Sequence, residues 1–143
     1  MAKFTRDVLI HAPVDKVFKY HSDPTNQPEY WPSMLEVKGT KGPPAAGRKY
    51  QWVYKMAGIR LEGSTETTEF VENKRIVNKT KGGIESTFIY QYKPEGEGTR
   101  LSVEVDYKVP VPVLGKLAEA LIVKLNEREA ETTLANLKDR LEA

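Results

Sequence analysis

The chain has no cysteine. That excludes disulfides, thiol nucleophiles and cysteine-ligated metals, and leaves the redox compartment open. Histidine is nearly as scarce, with 2 in 143 residues. Neither His11 nor His21 stands at metal-ligand spacing from carboxylates, so no metal site is expected. No apolar run approaches the roughly 18 residues that span a bilayer, so stable membrane insertion is not expected. Met1-Ala2-Lys3-Phe4 leads into a strand pattern with no signal peptide, which makes the cytoplasm the default location. A dominant charge is missing too. The net charge is +2, and the basic residues are spread along the chain rather than blocked. Nucleic acid is therefore not an expected partner. There is no Gly-x-Ser-x-Gly elbow. The glycines at 82–83 and 96–98 precede strand patterns, not helices, so they form turns and not phosphate cradles. No catalytic residue and no cofactor is assigned.

What is present is an ordinary globular composition, 39% hydrophobic and 29% charged, in a length that fits one domain over residues 1–143. Phe4 to Ile10 alternates as a strand, with Arg6 an exception on its apolar face. Pro13 opens a helix to about His21, and Asp23-Pro24 starts a second short one. Met34 to Lys38 reads as a strand and Gly39 to Gly47 as a loop.

Beyond it, Tyr50, Trp52, Tyr54 and Met56 share one strand face. An Ala57-Gly58 turn sets Met56 opposite Ile59, Tyr54 opposite Leu61, Trp52 opposite Gly63 and Tyr50 opposite Thr65. A turn at Asn73-Lys74 pairs Glu69 with Asn78 and Thr67 with Thr80. A Lys81-Gly82-Gly83 loop pairs Ile76 with Phe88 and Asn78 with Ser86. A loop from Lys93 to Gly98 pairs Tyr92 with Thr99, Tyr90 with Leu101 and Phe88 with Val103. One face stays in phase through the four hairpins, and it is apolar with some polar positions. Val109-Pro110-Val111-Pro112 ends the sheet. From about Val113 a helix runs nearly to Ala143, about 45 Å long. Its apolar stripes are Leu114, Leu117, Leu121 and Leu125, then Ala130, Leu134, Leu137 and Leu141. One half is expected to cover the sheet, and the other to meet the small helices or a partner subunit.

Several local signatures occur in a telling order. They are Ile10-His11-Ala12-Pro13 with Val17-Phe18, then Asp23-Pro24 leading to Tyr30-Trp31-Pro32. Gly98-Thr99-Arg100-Leu101 and Asn136-Leu137-Lys138 follow. Together they resemble the START-like, or SRPBCC, superfamily, in its polyketide cyclase/dehydrase or lipid-transport branch. The resemblance covers essentially the whole chain. It implies an α+β helix-grip fold, an antiparallel sheet of about seven strands wrapped on a long C-terminal helix, with two short helices after the first strand. It also implies a ligand cavity between sheet and helix. Activities within the superfamily are broad, so fold does not fix function.

The candidate wall of that cavity is aromatic: Trp31, Tyr50, Trp52, Tyr54, Phe88 and Tyr90. Buried tyrosines need partners for their hydroxyls, which are easier to find beside a ligand or water than in a dry core. Leu61, Val103, Leu121 and Leu125 add apolar lining. Thr65, Asn78 and Ser86 add polar groups, with Tyr90, Thr65 and Ser86 as the orienting ones. The polar groups can instead satisfy one another across strands. Glu69 is a candidate acid or base if it points inward, and a solvated residue near a turn if it does not. His11 falls at a surface corner. His21 ends a helix, where the dipole favours a cation, and takes a catalytic role only if that helix end faces the cavity. Trp31 and the Gly39–Gly47 loop are candidate gates. Three functions stay open: binding or transport of a small apolar or lipid-like molecule, a cyclase/aromatase-type enzyme on the same cavity, and a protein-interaction module using the Leu117/Leu121/Leu125 stripe. Either a monomer or a homodimer is compatible with these patterns.

Overall fold

The structure, a computed structural model, describes residues 2–115 and 117–143. Strand β1 (Ala2–Ile10) leads to helix α1 (Val14–His21), a 3₁₀ turn at Pro24–Asn26 and the one-turn helix α2 (Gln27–Tyr30). Strands β2 (Met34–Lys41), β3 (Lys49–Met56), β4 (Ile59–Val71), β5 (Arg75–Gly82), β6 (Glu85–Glu95) and β7 (Gly98–Lys108) follow. The chain closes with α3 (Val111–Leu114) and α4 (Glu119–Glu142). All strands pair antiparallel in one seven-stranded sheet, in the order β1-β7-β6-β5-β4-β3-β2. This is the helix-grip arrangement expected from the sequence.

The β3–β4 hairpin has the expected register, Tyr50 with Thr65, Trp52 with Gly63, Tyr54 with Leu61 and Met56 with Ile59. Its turn places Ala57 at φ 50° and Gly58 at φ 82°. Two successive left-handed residues match the twist of the strands they join. The three later hairpins are each shifted by two residues from expectation. Thr67 meets Asn78, Ile76 meets Tyr90 and Tyr92 meets Leu101. Turn chemistry accounts for the shift. Asn73 takes a left-handed conformation at φ 62°, and Gly96 does so at φ 61°, so β6 and β7 run on to a tight turn where a longer loop was expected. A two-residue shift keeps each side chain on its face, so the inner face survives.

One position does change sides. A bulge lies between Thr67 and Glu69 of β4. It turns Phe70 inward, edge-on to Phe18 at 5.3 Å, and leaves Glu69 exposed and paired with Arg75 at 3.0 Å. Glu69 is therefore not an inward acid or base. The Gly39–Gly47 loop is also shorter than expected. Strand β2 reaches Lys41 through an irregular pairing with β3, which leaves 42–48 to make the turn.

The long helix is divided. Val113 is fully buried and draws the single turn of α3 into the core, and α4 restarts from an extended Ala118 at ψ 141°. Lys116, inside the helix expected from Val113 to Ala143, lies outside the described residues. Helix α4 has 24 residues, about 36 Å, and buries Ile122, Leu134, Leu137 and Leu141. The expected first-half stripe faces outward instead, with Leu121 47% and Leu125 41% exposed.

Polar ties explain why the second half docks. Arg6, the exception in β1, reaches Glu131 at 3.2 Å and Glu127 at 3.5 Å on α4. Lys138 Nζ donates to the Leu9 carbonyl at 3.2 Å, and the His11 amide donates to Glu142 at 2.8 Å. Asn136 Nδ2 donates to the Tyr30 carbonyl at 3.0 Å. The corner after β1 rests on β7. Thr99 Oγ1 donates to the Ala12 carbonyl at 2.8 Å, and a Cβ on Gly98 would lie 2.7 Å from the Ile10 carbonyl.

Candidate functional site

A cavity of about 110 Å³ lies between the inner sheet face and α4. On a scale where one water needs about 10–15 Å³, it has room for several waters or a small organic molecule. Strand β3 supplies Tyr50, Trp52, Tyr54 and Met56 to the wall, and β4 supplies Thr65. Strands β5 and β6 supply Asn78, Thr80, Ser86, Phe88 and Tyr90, and β7 supplies Val103, Val105 and Tyr107. The helices close it with His21, Gln27, Tyr30 and Trp31 on one side and Asn126 to Leu137 of α4 on the other. The strand residues arrive together because side chains two apart share a face and the registers keep that face common.

Ten of the thirteen residues singled out from the sequence line this cavity: Trp31, Tyr50, Trp52, Tyr54, Thr65, Asn78, Ser86, Phe88, Tyr90 and Val103. Three do not. Leu61 is buried but lies against the β5–β6 turn, where a Cβ on Gly83 would approach it to 3.1 Å. Leu121 and Leu125 are on the outer side of α4 because its first half turns a different face, that of Ile122 and Asn126, to the sheet. Leu134 and Leu137 take their place. Their stripe was visible in the sequence, but nothing there told which stripe faces the cavity. Gln27 and Asn126 gave no sequence signal, being isolated polar residues in helical segments.

Trp31 meets Tyr54 edge-on at 5.7 Å and Phe88 at 5.6 Å. Phe88 stacks on Tyr90 at 5.9 Å. Among the lining residues of α2, the β5–β6 turn, β6 and α4, the apolar side chains Trp31, Ile84, Phe88 and Ala130 are only half-buried, so the cavity comes near the surface on that side. Trp31 is thus a half-buried lining residue in contact with Tyr54 and Phe88.

Most polar groups of the wall satisfy one another. Thr67 Oγ1 donates to Asn78 Oδ1 at 2.8 Å, the Thr80 and Ser86 hydroxyls pair at 2.5 Å, and Asn126 Nδ2 donates to Tyr107 Oη at 2.9 Å. Gln27 Nε2 donates to Tyr50 Oη at 3.1 Å. Two buried atoms of lining residues have no partner, Trp52 Nε1 and Gln27 Oε1. Burial pushes the hydroxyls of Tyr30, Tyr50, Tyr54, Tyr90 and Tyr92 up, so they act as hydrogen-bonding groups and not as phenolate bases.

His21 differs from expectation. It is buried against Tyr90, edge-on at 4.6 Å, and its Nδ1 pairs with Tyr92 Oη at 2.5 Å. Desolvation lowers its pKa to about 4, so it is a neutral imidazole in the cavity wall and not a helix-capping cation. His11 is exposed at its corner. Among the described residues no group of three or more His, Cys, Asp or Glu is placed to hold a metal, and no helix is long and apolar enough to cross a membrane.

Residues 1–142 match the family of polyketide cyclase/dehydrase and lipid-transport proteins. The chain belongs to this family. No curated protein matches its sequence. Solved structures that resemble this family member show how widely its fold is shared. The protein TTHA0849 from Thermus thermophilus superimposes with a TM-score of 0.83 at 22% identity, over 97% of this chain and 96% of that one. A START superfamily protein from Mycobacterium smegmatis gives 0.82 at 19%, over 99% and 98%. The Zhui aromatase/cyclase from a Streptomyces species gives 0.79 at 14%, over 98% and 93%. At these identities the likeness establishes the START-like fold alone.

Proposed function

We propose that this polyketide cyclase/dehydrase and lipid-transport family member binds a small, mostly apolar molecule in the cavity between sheet and α4. Transport of that molecule is the simplest use of such binding. The carrying observation is the wall itself. An aromatic surface of Tyr50, Trp52, Tyr54, Phe88 and Tyr90 surrounds open space, and two of the lining residues keep unpaired polar atoms. A dry core fills its volume and pairs its buried polar groups, whereas an apolar pocket with a few convergent polar groups is the usual form of a small-molecule site. Binding would draw on apolar burial of about 25 cal/mol per Å².

A second reading, a cyclase-type enzyme on the same cavity, is favoured by His21. It is an uncharged imidazole held by Tyr92 in the wall, and an imidazole so placed can relay a proton. Native mass spectrometry of freshly purified protein, followed by denaturation and identification of what is released, tests the binding reading. A stoichiometric apolar companion supports it and supplies the compound for a turnover assay. A bare mass after incubation with a panel of apolar compounds counts against it. Turnover of a bound compound that is lost in His21→Gln, with binding retained, would establish the enzyme reading.

A further inference from the structure

A smaller recess of about 20 Å³ adjoins the cavity. His21, Gln27, Tyr50, Asn78 and Tyr90 line both spaces, and Arg48, Ser22 and Thr67 line the recess alone. Its volume suits one water-sized group, which needs about 10–15 Å³. Most polar atoms around it are accounted for. Thr67 Oγ1 donates to Asn78 Oδ1, Gln27 Nε2 donates to Tyr50 Oη, and Arg48 Nη1 donates to the Ser22 carbonyl at 3.3 Å. Two are not. Arg48 Nε is buried with no acceptor, and Gln27 Oε1 is buried with no donor, in a residue only 7% exposed.

Arg48 Nε can only donate and Gln27 Oε1 can only accept. A single group that satisfies both must accept and donate through one atom. A hydroxyl does this. A ketone or ether oxygen leaves Gln27 unpaired, and an ammonium leaves Arg48 unpaired. A carboxylate, ketone or ether oxygen pairs with both only if the Gln27 amide turns over, with Tyr50 Oη then donating to Oε1. Resting on the cavity being a ligand site, we propose that this recess is its polar subsite and that it takes a hydroxyl on an otherwise apolar ligand. Arg48 donates to the hydroxyl oxygen, and the hydroxyl proton goes to Gln27. The apolar body lies against Trp52, Phe88 and Tyr90.

Three probes of one ring size test this by isothermal titration calorimetry: 2-methylnaphthalene, 2-naphthol and 2-naphthoate. Methyl and hydroxyl are close in size, so the first two fill the same space and differ in the hydrogen bonds made and in the water given up to make them. The expected result is 2-naphthol about 10-fold tighter than 2-methylnaphthalene. Arg48→Met should remove most of that preference, read as the ratio of the two neutral probes' affinities. Gln27→Met should remove it as well, which guards against one variant failing to fold. Equal affinity for the two neutral probes, or a preference that survives both substitutions, overturns the proposal and leaves the recess a place for a bound water. Tightest binding of 2-naphthoate, lost in Arg48→Met, overturns it in favour of an anion subsite. If none of the probes binds, the cavity reading fails and the subsite with it.

Discussion

Acidification from pH 7 to pH 5 should remove about 2 kcal/mol of folding free energy through His21 alone. In the folded chain the buried imidazole has a pKa of about 4, against 6.5 for an ordinary histidine. Between those values the unfolded chain binds a proton that the folded chain does not. The unfolded state is therefore stabilised relative to the folded one as pH falls. The contribution of His21 is fully present above 6.5, declines through the window and is spent below about 4. Across the whole window it amounts to about 3 kcal/mol, at 1.36 kcal/mol per pH unit. Carboxylates titrate in the lower part of the same range, so wild type must be compared with His21→Gln. Glutamine offers Tyr92 a polar partner and has no proton to bind. Urea unfolding at pH 7, 6 and 5 should show the two proteins converging as pH falls, the variant keeping its stability while wild type loses its own. Parallel curves would refute the reasoning. So would an imidazole signal of His21 that titrates above pH 6 in the folded protein, followed by NMR.

Gly63→Ala should destabilise the fold by about 1–3 kcal/mol and lower uptake of any cavity ligand. A Cβ there would stand 2.4 Å from Trp52 Cζ2 and 2.5 Å from the Lys81 carbonyl, so both a cavity wall and a strand must move; urea unfolding and ligand titration read the two effects. Leu137→Ala, at a fully buried position, should cost about 2–5 kcal/mol in urea unfolding. Leu121→Ala, on the exposed side of the same helix, should change stability by no more than about 0.5 kcal/mol. Ala130→Leu should extend an apolar side chain into the cavity, weakening uptake at least about 10-fold by calorimetry while the unfolding midpoint holds or rises.

The sheet was legible because its faces are. Tyr50, Trp52 and Tyr54 alternate with Gln51, Val53 and Lys55, and a turn whose residues can both be left-handed fixes one register outright. The later registers slipped by two because turn length is decided by local backbone choices at Asn73 and Gly96 that composition does not reveal. The slip did no harm to the inner face, since a shift of two preserves the side on which each residue stands. A bulge shifts by one. That is why Glu69, alone among the sheet positions on the expected inner face, points outward and takes the solvated of its two alternatives.

The helix misled for a different reason. Both leucine stripes of the C-terminal segment satisfy helical periodicity, and periodicity says that a face is apolar without saying what meets it. Arg6, Leu9 and His11 decide the matter by tying Glu131, Lys138 and Glu142 to the β1 side of the sheet. His21 was misread by the same limit. A helix C-terminus favours a cation only when the end is solvated, and Tyr30, Tyr90 and Tyr92 enclose this one.

That choice of helix face also explains why there is a cavity at all. Over the aromatic wall, α4 presents Asn126, Glu129, Ala130 and Thr133 before Leu134 and Leu137 close the far end. The first four are short or polar. Asn126 turns to Tyr107, Glu129 to the Ser33 amide and Thr133 to its own helix at the Glu129 carbonyl, so none reaches across to fill the space. Had the Leu121 and Leu125 face turned inward, large apolar side chains would stand over the wall instead. The helix keeps them outside, and the volume they would occupy is left open above Trp52 and Tyr54. The empty space follows from which residues α4 withholds as much as from which ones the sheet provides.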